Sequence, residues 1–164
     1  RPKASAILDW AVEGGKNKKA HSVLTETIKE AANHQADVAI KLTAFYSELN
    51  GNSSVNRELS DLAQLAKDLN VRLMIDAEHS SVQTYVNNIA VQLMKQFNSK
   101  KQKVIFNTYQ MYLTSSTAKL EHDSKDCGEK LAVKLVRGAY METEAPEIIN
   151  KSIEETHAKY NSAI

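Results

Sequence analysis

Leu131-Ala132-Val133-Lys134-Leu135-Val136-Arg137-Gly138-Ala139-Tyr140 is the stretch on which the fold turns. It begins as an apolar, partly β-branched run and closes on a glycine, the pattern of a buried strand. Two cations, Lys134 and Arg137, interrupt it. Cations are rarely buried without a partner, so such a strand is expected to aim them at something anionic or electron-rich. Gly138 and Ala139 clear side-chain bulk where the strand ends, which lets a backbone or a flat ligand come close. Tyr140 adds an aromatic ring with a polar tip. Together these features predict the mouth of a binding site.

Upstream, the same alternation recurs. Ile7–Glu13 is a short apolar run stopped by Gly14-Gly15, and Lys16–Lys19 reads as a solvated basic loop. Threes and fours in His21–Asn33 predict a helix, followed by a strand over Asp37–Phe45 with Lys41 in its middle. Ser47–Asn56 has loop composition, and Leu59, Leu62, Leu65, Ala66 and Leu69 stripe a helix over Glu58–Leu69. Val71–Glu78 predicts a third strand ending in carboxylates, and Ser81–Phe97 a second strongly periodic helix. Lys103–Tyr109 is a fourth strand. Gln110–Leu113 leads into a helix expected to end in a polar loop at His122–Asp126, and a last helix runs from about Ile148, after Pro146. Five strand–helix units with short connections predict an α/β protein with a parallel sheet. Alternation alone does not separate an open doubly wound sheet from a (β/α) barrel.

The totals exclude several classes. Twenty-one basic and 20 acidic residues leave a net charge of +1, which gives no reason to expect nucleic acid or an acidic partner. No apolar run approaches the roughly 20 residues that span a bilayer. One cysteine, Cys127, rules out an intrachain disulfide framework and favours a reducing compartment. No Gly-rich phosphate loop occurs, and the histidines show no metal-ligand spacing. The chain opens on Arg1 without a secretory or transit pattern, so processing or truncation is expected.

Polar residues gather at the C-terminal ends of the predicted strands, where parallel α/β folds place their sites. Lys41, Asp76, Glu78, Gln110, Lys134, Arg137 and Tyr140 suit an anionic small molecule or a polar cofactor ring. Each also has a plain reading. Lys41 could reach solvent, Asp76 and Glu78 equally suit caps for the helix starting near Ser80, and Gln110 could be an exposed amide. His79 reads as solvated, Tyr85 and Tyr109 as packing residues, and Cys127 as part of a polar loop.

Five stretches in order resemble proline dehydrogenase of the eukaryotic mitochondrial type: Leu8–Gly14, Ile40–Ala44, Leu73–Glu78, Asn107–Leu113 and Lys134–Tyr140, with a weaker match at Thr156–Asn161. The resemblance implies a (β/α)8 barrel that binds FAD at the C-terminal ends of its strands. It also implies oxidation of L-proline to Δ1-pyrroline-5-carboxylate, with electrons passed to a quinone. It places Lys41 on the proline carboxylate and Tyr140 against the substrate. Asp76 and Ala77 stand beside the flavin, Gln110 on its ring, and Lys134 near its N5. Val136, Arg137, Gly138 and Ala139 line the flavin, and Thr156 with His157 reach its outer part. Asp76 and Lys134 are the expected catalytic pair, with Asp76 positioning a lysine rather than removing a proton. Location in mitochondria, on the matrix side in peripheral contact with the inner membrane, is implied as well. No metal and no nucleic acid are expected.

The family closes its site with a Tyr-x-x-Arg-Arg-x-x-Glu helix, and no Arg-Arg pair occurs here. Residues 1–164 are therefore expected to be an internal part of a single proline dehydrogenase-like barrel domain, about five of eight units. By themselves they are expected not to turn over proline, and an edge strand would stand open. Two alternatives remain at this stage: another barrel enzyme with a Schiff-base lysine at Lys41 or Lys134, or a non-catalytic remnant used for association.

Overall fold

The computed structural model describes residues 6–9, 19–45 and 53–164. Five strands form one sheet: β1 (Ile7–Asp9), β2 (Asp37–Ile40), β3 (Leu73–Ile75), β4 (Ile105–Gln110) and β5 (Val133–Val136). They lie side by side in chain order, and every pairing is parallel. Helices α1 (Ala20–His34), α2 (Ser53–Asp68), α3 (Ser80–Phe97), α4 (Ser116–Cys127) and α5 (Ile153–Ser162) follow the strands in turn. A doubly wound sheet reverses its strand order at a switch point; this one does not. The sequential order resolves the open question in favour of a partial (β/α) barrel.

Alternation along each strand sorts the side chains. Val38, Ile40, Leu73, Ile75 and Ile105 join Leu24, Ile28, Leu62, Val86 and Met94 in one apolar core between sheet and helices. Residues at the intervening positions face the other way, toward the barrel interior. Strand β2 is buried along its whole length, whereas all four residues of β5 are only half-buried. Among the described residues β1 and β5 pair on one side only.

Helices α1 and α2 hand the chain back to the sheet in the same way. Gln35 (φ 53°) and Asn70 (φ 55°) take the left-handed conformation, and the next amides, of Ala36 and Val71, donate to Ala31 and Ala66 carbonyls at 2.8 Å. This is the six-to-one bond of a Schellman-type ending.

Asn98 performs a similar task after α3. Its Nδ2 donates to the carbonyls of Ile105 (2.7 Å) and Lys130 (2.9 Å), and its Oδ1 accepts from the amides of Val104 (2.9 Å) and Ile105 (2.8 Å). One buried amide thus fixes the entries of β4 and β5. Asn98→Ala strands these buried backbone groups and is expected to destabilise the fold by about 2–4 kcal/mol. A thermal melt should fall by on the order of 10 °C; an unchanged melt would remove this role.

Several expectations need correction. The Asp37–Phe45 strand stops at Ile40, and Leu42–Ala44 form a 3₁₀ turn, so Lys41 ends the strand rather than sitting within it. Strand β3 covers only Leu73–Ile75, with Asp76–His79 as a connection. The predicted loop at Ser47–Asn56 lies partly outside the described residues, and from Ser53 onward it is already helix α2. Helix α4 continues through His122–Asp126 to Cys127, which is buried at its end rather than in a polar loop. Asp123 explains why: its carboxylate turns inward and accepts from the Tyr109 hydroxyl at 2.7 Å and from Lys119. The last helix begins at Ile153, after a 3₁₀ turn at Pro146–Ile148. Trp10–Lys18, and with them most of the first predicted strand and basic loop, lie outside the described residues.

Candidate active site

Strand register stacks the interior-facing residues in tiers. Ala39 pairs with Met74 and Met74 with Phe106, an apolar tier. Below it, at the strand starts, Asp37 is held by Arg72, whose Nε and Nη2 reach its two oxygens at 2.7 and 2.5 Å. Above it the character changes. Asp76 follows β3, Thr108 pairs with Lys134 in register, and Gln110 pairs with Val136. Lys41 stands at the same level at the end of β2. The tier near the C-terminal ends is polar, as the sequence implied.

At its centre is an ion pair. Lys134 Nζ lies 2.5 Å from Asp76 Oδ1, with side chains 27% and 16% exposed. The pair joins β5 to the end of β3 across the intervening β4. Thr108, beside Lys134 on the inner face, is 3% exposed, and its hydroxyl has no hydrogen-bond partner among the described residues. A buried hydroxyl without a partner is uncommon and calls for one. Sequence reading missed Thr108, because nothing in a threonine on a strand distinguishes it from a packing residue.

Gln110 is not an exposed amide. It is 3% exposed, and its Nε2 donates to the Glu78 carbonyl at 3.0 Å while its Oε1 accepts from the Ala139 amide at 3.1 Å. It therefore ties together the ends of β3, β4 and β5. Ala77 is half-buried in the connection after β3, and Ala139 is exposed at the rim. Gly138 (φ 143°) lies against the buried ring of Tyr112; a Cβ there would stand 1.6 Å from Tyr112 Cδ1. Its lack of a side chain serves the Tyr112 ring, so the small pair owes half its character to packing.

Glu78 and Asp76 do not cap α3. The Glu78 carboxylate accepts from the Thr43 hydroxyl (2.9 Å) and amide (3.3 Å), fixing the turn after Lys41. The N-cap is His79, whose Nδ1 accepts from the Ser81 amide at 3.3 Å, so His79 is not merely solvated. A second acceptor comes from far along the chain: Glu144 Oε1 takes the Ser80 amide at 2.8 Å. Burial pushes the Glu144 carboxyl up, but hydrogen bonds from Ser80, the charge of His79 and the Tyr112 hydroxyl outweigh it and hold the group below the usual glutamate range. Its contribution to stability is therefore present above the unfolded glutamate value, about 4.3, and lost as pH falls through the lower folded value. Urea midpoints of wild type and Glu144→Gln should converge as pH falls below the ordinary glutamate range; a constant gap would contradict this.

Arg137 leaves the inner face. It is exposed, with Cζ 4.5 Å over the Tyr160 ring of α5. A cavity of about 290 Å³ opens beside it, lined also by Met141, Asn150 and Thr156. Thr156 is buried and accepts from Asn150 Nδ2 at 3.0 Å; His157, next to it, is half-buried. These two stand apart from the Asp76–Lys134 pair, on the helix after β5. The structure thus brings Lys41, Asp76, Ala77, Gln110, Lys134, Val136 and Ala139 to one end of the sheet and sets Arg137 and Thr156 along a neighbouring groove, with His157 next to Thr156 on α5.

Comparison with known proteins bears on the family and the fold. The family model described as proline dehydrogenase matches residues 2–164. The chain is 32% identical over 119 residues to mitochondrial proline dehydrogenase 1 of Drosophila melanogaster, covering 66% of this chain and 17% of that protein. For the Caenorhabditis elegans protein of the same name the figures are 36%, 66% and 19%. Among solved structures, a mutant of Bradyrhizobium japonicum proline utilization A superimposes with a TM-score of 0.83 at 19% identity, over 99% of this chain and 20% of that one. The chain thus spans about a fifth of the length of these relatives.

Proposed function

Because the chain belongs to the proline dehydrogenase family, we propose that it supplies the flavin-facing part of an enzyme that oxidises L-proline to Δ1-pyrroline-5-carboxylate with FAD and passes the electrons to a quinone. Residues 1–164 are part of a single barrel domain. The protein works in mitochondria, as the names of the relatives have it, on the matrix side and in peripheral contact with the inner membrane.

One observation carries the reading: a lysine–aspartate pair at the C-terminal end of the sheet, beside a buried threonine hydroxyl that lacks a partner among the described residues. That donor set fits a polar, electron-poor ring lying against β4 and β5. Lys134, Gln110, Asp76 and Ala77 would face it, with the backbone of Val136, Gly138 and Ala139 along its edge. Arg137, Thr156 and His157 would serve its outer part. Bound there, FAD supplies the acceptor for the hydride that leaves the carbon beside the proline nitrogen.

The protein's own residues orient and polarise. Lys134 places a positive charge where negative charge develops, and Asp76 holds that ammonium in place, so no reorganisation is needed at the moment of reaction. Gln110 holds the strand ends at fixed spacing. Lys41 pairs with the substrate carboxylate, and Tyr140 covers the substrate. Lys134 Nζ is already engaged by Asp76 at 2.5 Å, which speaks against Lys134 as a Schiff-base nucleophile.

The 164 residues alone are proposed not to turn over proline, because the paired arginines that complete the family's carboxylate clamp are not among them. The test of the cofactor assignment is titration of the intact protein with FAD, followed by fluorescence quenching. One equivalent should bind, and Lys41→Met should leave that binding intact while weakening proline. Absence of saturable quenching would sink the assignment.

A further inference from the structure

We infer that Glu144 is a positioning residue that sets Tyr140 for the substrate; the inference rests on the proposed reading that Tyr140 packs against proline. Glu144 belongs to a turn whose other members lie outside the core: Met141, Glu142 and Thr143 are exposed, whereas the Glu144 carboxylate is fully buried. Burying a charge is costly unless hydrogen bonds and a counter-charge replace the lost water. Glu144 has both. Oε1 accepts from the Ser80 amide at 2.8 Å and from the Tyr112 hydroxyl at 3.3 Å, and Oε2 lies 3.4 Å from His79 Nε2.

A helix start can be capped by a short polar side chain of its own sequence, and His79 already does so for α3. An additional acceptor delivered from 64 residues away does something a local cap cannot: it couples the start of α3 to the turn after β5. Tyr140 is held through that coupling twice. Its carbonyl accepts from the amides of Thr143 (3.0 Å) and Glu144 (3.1 Å), so fixing Glu144 fixes the Tyr140 backbone. Its ring meets the His79 ring edge-on, 6.3 Å between centroids and perpendicular, and His79 is the residue beside Glu144 Oε2. Tyr112, which also holds the Glu144 carboxylate, packs on Gly138 two residues before Tyr140.

A double-mutant cycle in the intact protein tests the inference. The probe is a saturated five-membered-ring carboxylate without the ring nitrogen, which can bind but not be oxidised at that bond, with flavin content measured alongside. Glu144→Ala and Tyr140→Ala should each weaken the probe about tenfold with flavin content kept, and the double variant should be no weaker than Tyr140→Ala alone. Glu144→Gln, whose amide oxygen accepts the same two hydrogen bonds, should return affinity to within about threefold of wild type. Where Glu144→Ala does not fold, Glu144→Asp takes its place, one methylene short of the Ser80 amide. Additive losses, or a Glu144→Ala protein with unchanged affinity, would overturn the inference while leaving the functional reading intact. Failure of the wild type to bind the probe would remove that reading, and the inference with it.

Discussion

Gly138→Ala is expected to be the most disruptive single methyl addition in the described chain. Two separate terms oppose it. Gly138 has φ 143°, a conformation that residues with a Cβ rarely adopt, and such backbone strain costs roughly 1–3 kcal/mol. The new methyl would also stand 1.6 Å from Tyr112 Cδ1 and 2.2 Å from Cε1, so a fully buried ring has to move; overpacking of this kind costs roughly 1–3 kcal/mol. Their sum, on the order of 4 kcal/mol, should lower the melting temperature by roughly 10 °C or more. Displacing Tyr112 also releases the Glu144 carboxylate, and the shift at Gly138 moves the Ala139 amide off Gln110. Flavin affinity should therefore fall together with stability. Adding Tyr112→Ala to Gly138→Ala separates the terms: the clash is relieved and the strain stays, so Gly138→Ala should cost less in the Tyr112→Ala background than in wild type. Equal melts for wild type and Gly138→Ala would contradict the account.

Lys134→Met carries the second large effect, on chemistry more than on fold. The substitution keeps the length and apolar stem of the side chain but removes the cation paired with Asp76. A carboxylate 16% exposed is then left beside the proposed flavin ring without the Lys134 counter-charge. Both losses work in one direction: a positive charge is missing where negative charge develops, and a bare negative charge stands in its place. Turnover should fall by about 10²–10³-fold, with flavin binding weakened as well. Lys134→Arg should recover much of both, since it restores the charge and can pair with Asp76. An unchanged flavin spectrum and rate in Lys134→Met would exclude the role.

Much of the fold was legible because it rests on periodicity. The helices over His21–Asn33 and Ser81–Phe97 lie within a residue or so of α1 and α3, since long amphipathic stripes leave few alternatives. Strand lengths were overestimated at Lys41 and Asp76. After Ile40 the apolar composition continues through Leu42, Ala44 and Phe45 although the chain has already turned, and after Ile75 the chain leaves the strand at Asp76 itself. Those two residues are functional candidates because they sit just beyond the strand.

The site was legible only for residues whose chemistry is unusual for their setting. Lys134 in an apolar strand announces a partner, and Asp76 is that partner. Glu144 and Thr108 were hidden. A glutamate in a polar stretch before a proline looks solvated, and only the fold carries Ser80 and Tyr112 to it from 64 and 32 residues away. Thr108 becomes informative only once its hydroxyl is seen to lack a partner among the described residues. Gln110 was placed at the right end of the sheet, but its tie between the Glu78 carbonyl and the Ala139 amide follows from strand order alone.

The central claim is that the polar tier around Asp76 and Lys134 faces a flavin that takes a hydride from proline. Anaerobic addition of L-proline to the intact protein, with the visible flavin absorbance followed, tests it most directly. The account predicts a yellow protein that proline bleaches, and a Lys134→Met variant that bleaches far more slowly. A colourless protein, or one that borohydride traps as a covalent adduct with a carbonyl substrate at Lys41 or Lys134, would contradict it.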